Sequence, residues 1–189
     1  MRVPYSELKK GTFLVASPDI SNGLFFRCVV LLCDHSPVGS FGLIINKPLE
    51  VDVENDLLDL TDLSEAHIQM RAGGPNQPNQ IMLLQNYGTN TESSLEICKD
   101  VYLNGDIETL QIEPEETTEP RLSLLCFGYG GWTAGALERE FLNGAWFLHP
   151  AASNHIFETP PELLWQTLLR EMGDKYKTLS MMPEDLDLN

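Results

Sequence analysis

The segment from Arg121 to Trp146, RLSLLCFGYGGWTAGALEREFLNGAW, combines an apolar run, a cluster of glycines and an amphipathic stretch in one continuous unit. No other part of the chain restricts the fold as much. Residues 122–127 are almost uniformly apolar, the pattern of a strand covered on both faces. Gly128, Gly130 and Gly131 are expected to break that strand in a turn. Thr133 is the expected N-cap of the helix that follows, with Ala134, Leu137 and Phe141 at helical spacing and Gly144 as its stop.

A strand that enters a helix through glycines leaves backbone N–H groups free at the helix start, a place suited to an anion. Two phosphate-binding fingerprints are incomplete here. The G-x-G-x-x-G pattern fails because Thr133 takes the third glycine position, and the P-loop pattern fails because Ala136 follows Gly135 where a lysine is needed. Gly130, Gly131 and Trp132 therefore stand as candidate ligand-binding residues without a defined chemistry. The competing reading is that the glycines serve only a tight turn and close helix-to-strand packing.

A chain of 189 residues can bury one sizeable core. No run approaches the ~18 to 20 consecutive apolar residues of a membrane span, and the start, MRVPYSELKKG, lacks the apolar stretch of a signal peptide. The expectation is a cytoplasmic protein without membrane contact. The net charge of -16, from 28 acidic against 12 basic residues, repels a phosphate backbone. Direct nucleic-acid binding is therefore not expected. The acidic residues read as a solvated surface, or as a face for a basic protein partner.

Strands are expected at 12–17, 25–33, 41–46, 67–71, 81–84, 95–98 and 101–103, with 25–33 and 41–46 paired as an antiparallel hairpin around a turn at 34–40. A short acidic helix is expected at 53–60 and an exposed acidic loop at 113–119, while 107–112 is ambiguous. Pro160 and Pro161 open a final helix with a buried stripe of Leu164, Leu168 and Met172, and Gly173 stops it. The whole reads as one domain over 1–173, followed by an acidic tail, 174–189, expected to be mobile.

Arg27 is the one charge in an otherwise apolar run, so it should lie near the strand start, paired to a carboxylate or reaching a ligand. His35 and Asn46 mark the polar ends of the hairpin strands. Gly73 and Gly74, before Pro75, can bring the backbone close to a ligand. Cys33 and His35, two apart, would share a strand face as the chain's one thiol–imidazole pairing. Glu138 with Arg27 and His35 is the best constellation available for chemistry, and a buried ion pair between helix and sheet is its structural alternative. Glu138 and Glu140 lie about 200° apart on a helix and cannot share a substrate. The G-x-S-x-G elbow is absent, because Val38 precedes Ser40 where glycine is needed. The four cysteines form no C-x-x-C pair and read as reduced and mostly buried. His67, His149 and His155 are scattered without ligand spacing, so neither a metal site nor a cofactor is expected.

Several motifs in order, GTFLVASP at 11–18, FFRCVVLLCDH at 25–35, GLIINKP at 42–48, GGP at 73–75, then GYGGW, LERE and Trp146, make the chain resemble the YqgE/AlgH family of small bacterial proteins. The resemblance implies an α+β fold, a single domain with a mixed, partly barrel-like sheet flanked by about three helices. Its functional content is thin: the family is largely uncharacterised and is sometimes labelled a transcriptional regulator, a name that comes from alginate regulation. The family commonly has glutamine where this chain has Ala136, and histidine near Gln85. The expected function is a binding or regulatory protein acting through a protein partner or a small molecule, with an enzyme using a polar site at the glycine turn as the alternative.

Overall fold

The structure is a computed structural model, and residues 7–49, 67–88, 94–104 and 120–182 are described. The expected helix at 53–60, the segment 107–112, the loop 113–119 and residues 183–189 lie outside them. The described residues form strands β1 (Thr12–Ala16), β2 (Val29–Ser36), β3 (Gly39–Ile44), β4 (His67–Ala72), β5 (Asn76–Gln85), β6 (Leu95–Cys98), β7 (Val101–Asn104), β8 (Leu122–Thr133) and β9 (Trp146–Pro150). Helices α1 (Ala136–Leu142), α2 (Ser153–Phe157), α3 (Pro161–Glu171) and α4 (Asp174–Ser180) accompany them. The strands join in the order β6-β7-β5-β8-β3-β2-β1-β9, with β4 on β8 outside that path. The result is a curled half-barrel in a single α+β domain. It is mixed because β4 runs parallel to β8 while the other pairings are antiparallel.

Strand alternation builds two cores, one on each face. Phe13 and Val15 of β1 point into one, and Leu14 and Ala16 into the other. The first is closed by Ile156 of α2 and by Leu164, Trp165, Leu168 and Leu169 of α3; the second by Leu8, by Leu137 of α1 and by Trp146. Each such aliphatic or aromatic side chain contributes about 1.5–3 kcal/mol on burial, so the sheet is held from both sides. The Trp165 indole N–H also donates to the Ala16 carbonyl at 2.8 Å, tying α3 to the end of β1.

β8 differs from expectation. It does not break at its glycines but continues to Thr133, pairing Gly130 with Gly42, Gly131 with Phe41, Trp132 with Ser40 and Thr133 with Gly39. The glycines serve backbone proximity instead. A Cβ on Gly74 would sit 2.0 Å from the Tyr129 carbonyl carbon, and one on Gly128, whose φ is +72°, would sit 2.4 Å from the Gly74 oxygen. Two chain segments therefore cross in direct contact, which only glycine allows. The helix starts after Gly135 (φ 72°) and not at Thr133, which is still held in the sheet. Gly144, at φ +79° and with its N–H on the Phe141 carbonyl at 3.0 Å, follows the helix end as expected.

The hairpin is also tighter than expected. β2 starts at Val29 and reaches Ser36, leaving only Pro37 and Val38 between the strands, while residues 25–27 form a turn with Arg27 at φ 50°. The ladder shifts between Leu32 and Asp34, a bulge at Cys33. β9 and α2 are absent from the sequence reading. Nor is α3 the last helix: Asp174–Ser180, read as tail, is helical as α4, and its Tyr176 meets Phe147 of β9 edge-on at 4.9 Å.

Candidate functional site

The cleft with the densest chemistry lies where the end of β8, α1 and the start of β9 meet. It is about 510 Å³ and is lined by Ile20, Phe25, Pro75, Asn76, Gly131, Trp132, Thr133, Ala136, Glu140, Ala145 and Trp146. α1 sets its charge: with Leu137 directed into the core, Glu140 faces the two tryptophans. Both indole N–H groups, from Trp132 and from Trp146, donate to the same Glu140 oxygen, Oε2, each at 2.8 Å. The rings stand edge-to-face, 6.1 Å apart for Trp132 and Trp146 and 6.0 Å for Phe25 and Trp146. The second oxygen, Oε1, retains its own acceptor capacity. The arrangement is a fixed anionic group in an aromatic-walled cleft.

The sequence candidates do not gather in one place. Gly131 and Trp132 line the cleft, and Gly130 is packed against the Trp132 ring, 3.3 Å from where a Cβ would sit. Gly73 is committed to the sheet: its N–H donates to the Phe127 carbonyl at 2.8 Å and its carbonyl accepts the Ile44 N–H at 2.8 Å. Gly74 fills the strand crossing described above. The expected anion site at a glycine turn is therefore corrected, since the turn is a strand.

Arg27 and Asn46 meet at one end of the hairpin. Asn46, buried, accepts the Val29 N–H at 2.7 Å and donates to the Arg27 carbonyl at 2.9 Å, stabilising the positive φ there. The Arg27 guanidinium lies over the rings of Phe26 and Trp165, at 5.2 and 4.9 Å, and donates to the Met182 carbonyl. His35 and Glu138 meet near the other end. His35 Nδ1 is 2.7 Å from Ser40 Oγ, its cross-strand partner, and Nε2 is 3.8 Å from Glu138 Oε1. Six residues of strand separate Val29 from His35, about 20 Å, so Arg27 does not join Glu138 and His35. Glu138 and Glu140 do point to different partners, as their spacing requires.

The Cys33–His35 pairing is likewise corrected. Cys33 keeps the phase of Val29 and Leu31 and is fully buried in the first core, while the bulge reverses the facing of the residues after it and leaves His35 beside α1 on the other face. Burial pushes the Cys33 thiol above its usual range and so disfavours the thiolate a nucleophile needs. Two of the histidines that lie scattered in the sequence converge with a residue overlooked there: His149, His155 and Glu171 have ligand atoms within 4.8 Å of one another, although 22 positions separate the first from the last. No sequence spacing signals this, because β9, α2 and α3 supply one residue each.

A family model described as AlgH-like (DUF179) matches residues 13–177. A UPF0301 protein of Chlamydia abortus is 48% identical over 188 residues, covering 100% of this chain and 99% of its own. The chain belongs to the AlgH-like, UPF0301 family. Among solved AlgH-like structures, the solution structure of the AlgH protein from Pseudomonas aeruginosa matches with TM-score 0.68 and 25% identity over 97% of both chains. The crystal structure of protein DIP2367 from Corynebacterium diphtheriae shares the fold at TM-score 0.74, with 21% identity over 92% of both chains. Of the two residues singled out by the resemblance, Ala136 lines the aromatic cleft. Gln85 is fully buried, bonded to Asn104, Tyr87 and Ser123. Among the described residues no helix is long and apolar enough to cross a membrane.

Proposed function

We propose that this protein is a binding protein whose aromatic cleft takes an organic cation, either a small amine or a basic side chain of a protein partner. The observation that carries this reading is the Glu140 carboxylate, held by two indole N–H groups at 2.8 Å with its second oxygen still able to accept. Ring faces attract a cation through their quadrupole, and a fixed carboxylate needs no reorganisation to meet it. The net charge of -16 adds a long-range field that draws cations in. Any part the protein takes in transcriptional regulation would run through such contacts, in the cytoplasm, and not through direct reading of DNA.

The test is a tryptophan-fluorescence titration with tetramethylammonium, arginine amide and a short Lys/Arg peptide, in wild type and Glu140→Gln. The substituted amide keeps an acceptor for the indoles and removes the charge. Saturable binding weakened at least tenfold in Glu140→Gln is expected. Equal affinity for a neutral isostere, or no response to any cation, would overturn the proposal. Preference for the peptide over the free amines would identify a protein partner.

An enzyme is the second reading, and Ser40, His35 and Glu138 favour it: hydroxyl, imidazole and carboxylate lie in sequence at 2.7 and 3.8 Å. The second distance exceeds the ~2.6–3.2 Å of a working base–orienter contact. Labelling of Ser40 by a fluorophosphonate, abolished in His35→Ala, would move the enzyme reading to first place.

A further inference from the structure

We infer that His149, His155 and Glu171 form a binding site for a divalent transition-metal ion of the Zn²⁺ class. His149 Nε2 lies 3.3 Å from Glu171 Oε2, and His155 Nε2 lies 3.2 Å from Glu171 Oε1. Two ligands about 2.1 Å from a tetrahedral ion stand about 3.4 Å apart, so each His–Glu separation suits a coordination shell, while the set as a whole, within 4.8 Å, has still to close on the ion. Imidazole nitrogens with one carboxylate suit zinc and its neighbours, and three protein ligands leave a position for water. Glu171, 44% exposed, gives that position access to solvent.

The orientation of the rings supports the same reading. His149 Nδ1 is 2.8 Å from the Pro150 carbonyl, which can only accept, so Nδ1 carries the hydrogen. With Nδ1 committed to that carbonyl, Nε2 is the nitrogen directed at Glu171, 3.3 Å from a carboxylate oxygen. The rings are also fixed before any ion arrives. Phe13 stacks on His149 at 6.5 Å with 24° between planes, and His155 meets His149 edge-on at 5.7 Å. His149 carries the backbone-anchored Nδ1–H common to metal-ligating histidines. The His155 Nδ1 is buried with no hydrogen-bond partner among the described residues, so this ligand lacks there the outer-shell anchor that ordinarily strengthens metal binding ten- to a hundredfold. A site of moderate affinity follows.

The cysteines do not compete well, since burial raises the Cys28 and Cys126 thiols to about 12 and the half-buried Cys98 to about 11. The test uses the full chain stripped of metal by a chelator and titrated with Zn²⁺ by calorimetry, and with Co²⁺ by visible absorption. The expected result is one ion per chain, with a Co²⁺ spectrum free of thiolate charge transfer. At a hundredfold excess over the dissociation constant, Zn²⁺ should raise the melting midpoint by roughly 5 to 11 °C. Glu171→Gln, at a 44% exposed position, should lose the binding, and His149→Gln should do the same. Absence of saturable one-to-one binding, or equal binding in both variants, would overturn the inference. If His149→Gln does not fold, the ring-nitrogen resonances of the wild type decide: Zn²⁺ must shift Nε2 of His149 and of His155.

Discussion

Replacing Glu140 with alanine tests whether the cleft is held together as described. The carboxylate accepts two charge-assisted hydrogen bonds at 2.8 Å. Bonds to charged groups contribute about 1.5–3 kcal/mol each, and a buried donor left without a partner loses most of that. Trp146 is only 4% exposed, so its N–H gains no water and its share is about 2 kcal/mol; half-buried Trp132 can be rehydrated, and its share is about 1 kcal/mol. The total of about 3 kcal/mol corresponds to a midpoint lowered by roughly 6 to 12 °C in a domain of this size. Glu140→Gln, which keeps a neutral acceptor, should lose only about 1 kcal/mol, roughly 2 to 4 °C. Thermal unfolding followed by circular dichroism measures both. Adding Trp146→Phe to Glu140→Ala should cost less than the two single changes summed, because the bond is already gone. A Glu140→Ala protein within about 0.5 kcal/mol of wild type, the range of an ordinary surface substitution, would refute the double hydrogen bond and with it the preorganised carboxylate.

Three further outcomes follow from the packing. Asn46→Ala removes the acceptor of the buried Val29 N–H and the donor to the Arg27 carbonyl, and should cost about 2–6 kcal/mol by denaturant unfolding, at about 1–3 kcal/mol for each bond lost. Gly74→Ala should not yield folded protein, since its Cβ would overlap the Tyr129 carbonyl carbon at 2.0 Å; Gly144→Ala, with open space around it, should cost only the ~1–2 kcal/mol of a positive φ. Stability should fall at alkaline pH. Cys28 and Cys126 are raised from 9.0 to about 12 by burial, so above about pH 9 the unfolded chain releases protons that the folded one keeps, and each thiol removes up to about 1.4 kcal/mol per pH unit. Denaturant midpoints that stay level between about pH 8 and about pH 10.5 would contradict that burial.

Short apolar runs bounded by turn residues made eight of the described strands readable, and Pro161 and Gly173 bounded α3 correctly. The glycine motifs were visible but ambiguous: GGP at 73–75 and the glycines of β8 read as turns, whereas they meet each other at a crossing of two backbones. A glycine permits both, and sequence spacing does not say which. The bulge at Cys33 was invisible for a related reason. One extra residue reverses the facing of everything after it, and here it separated the thiol from the imidazole.

The sequence alone determined that this chain is an acidic, single-domain α+β protein of the AlgH-like type, because composition, alternation and ordered motifs are local properties. It also set Glu138 and Glu140 on opposite sides of their helix, since that follows from 3.6 residues per turn. Tertiary structure decided the rest. The indoles of Trp132 and Trp146 reach one Glu140 oxygen because β8, α1 and β9 converge, and His149, His155 and Glu171 meet because three separate elements pack over Phe13. Neither cluster has a sequence period, since its residues are brought together by the packing of elements and not by the repeat of any one of them.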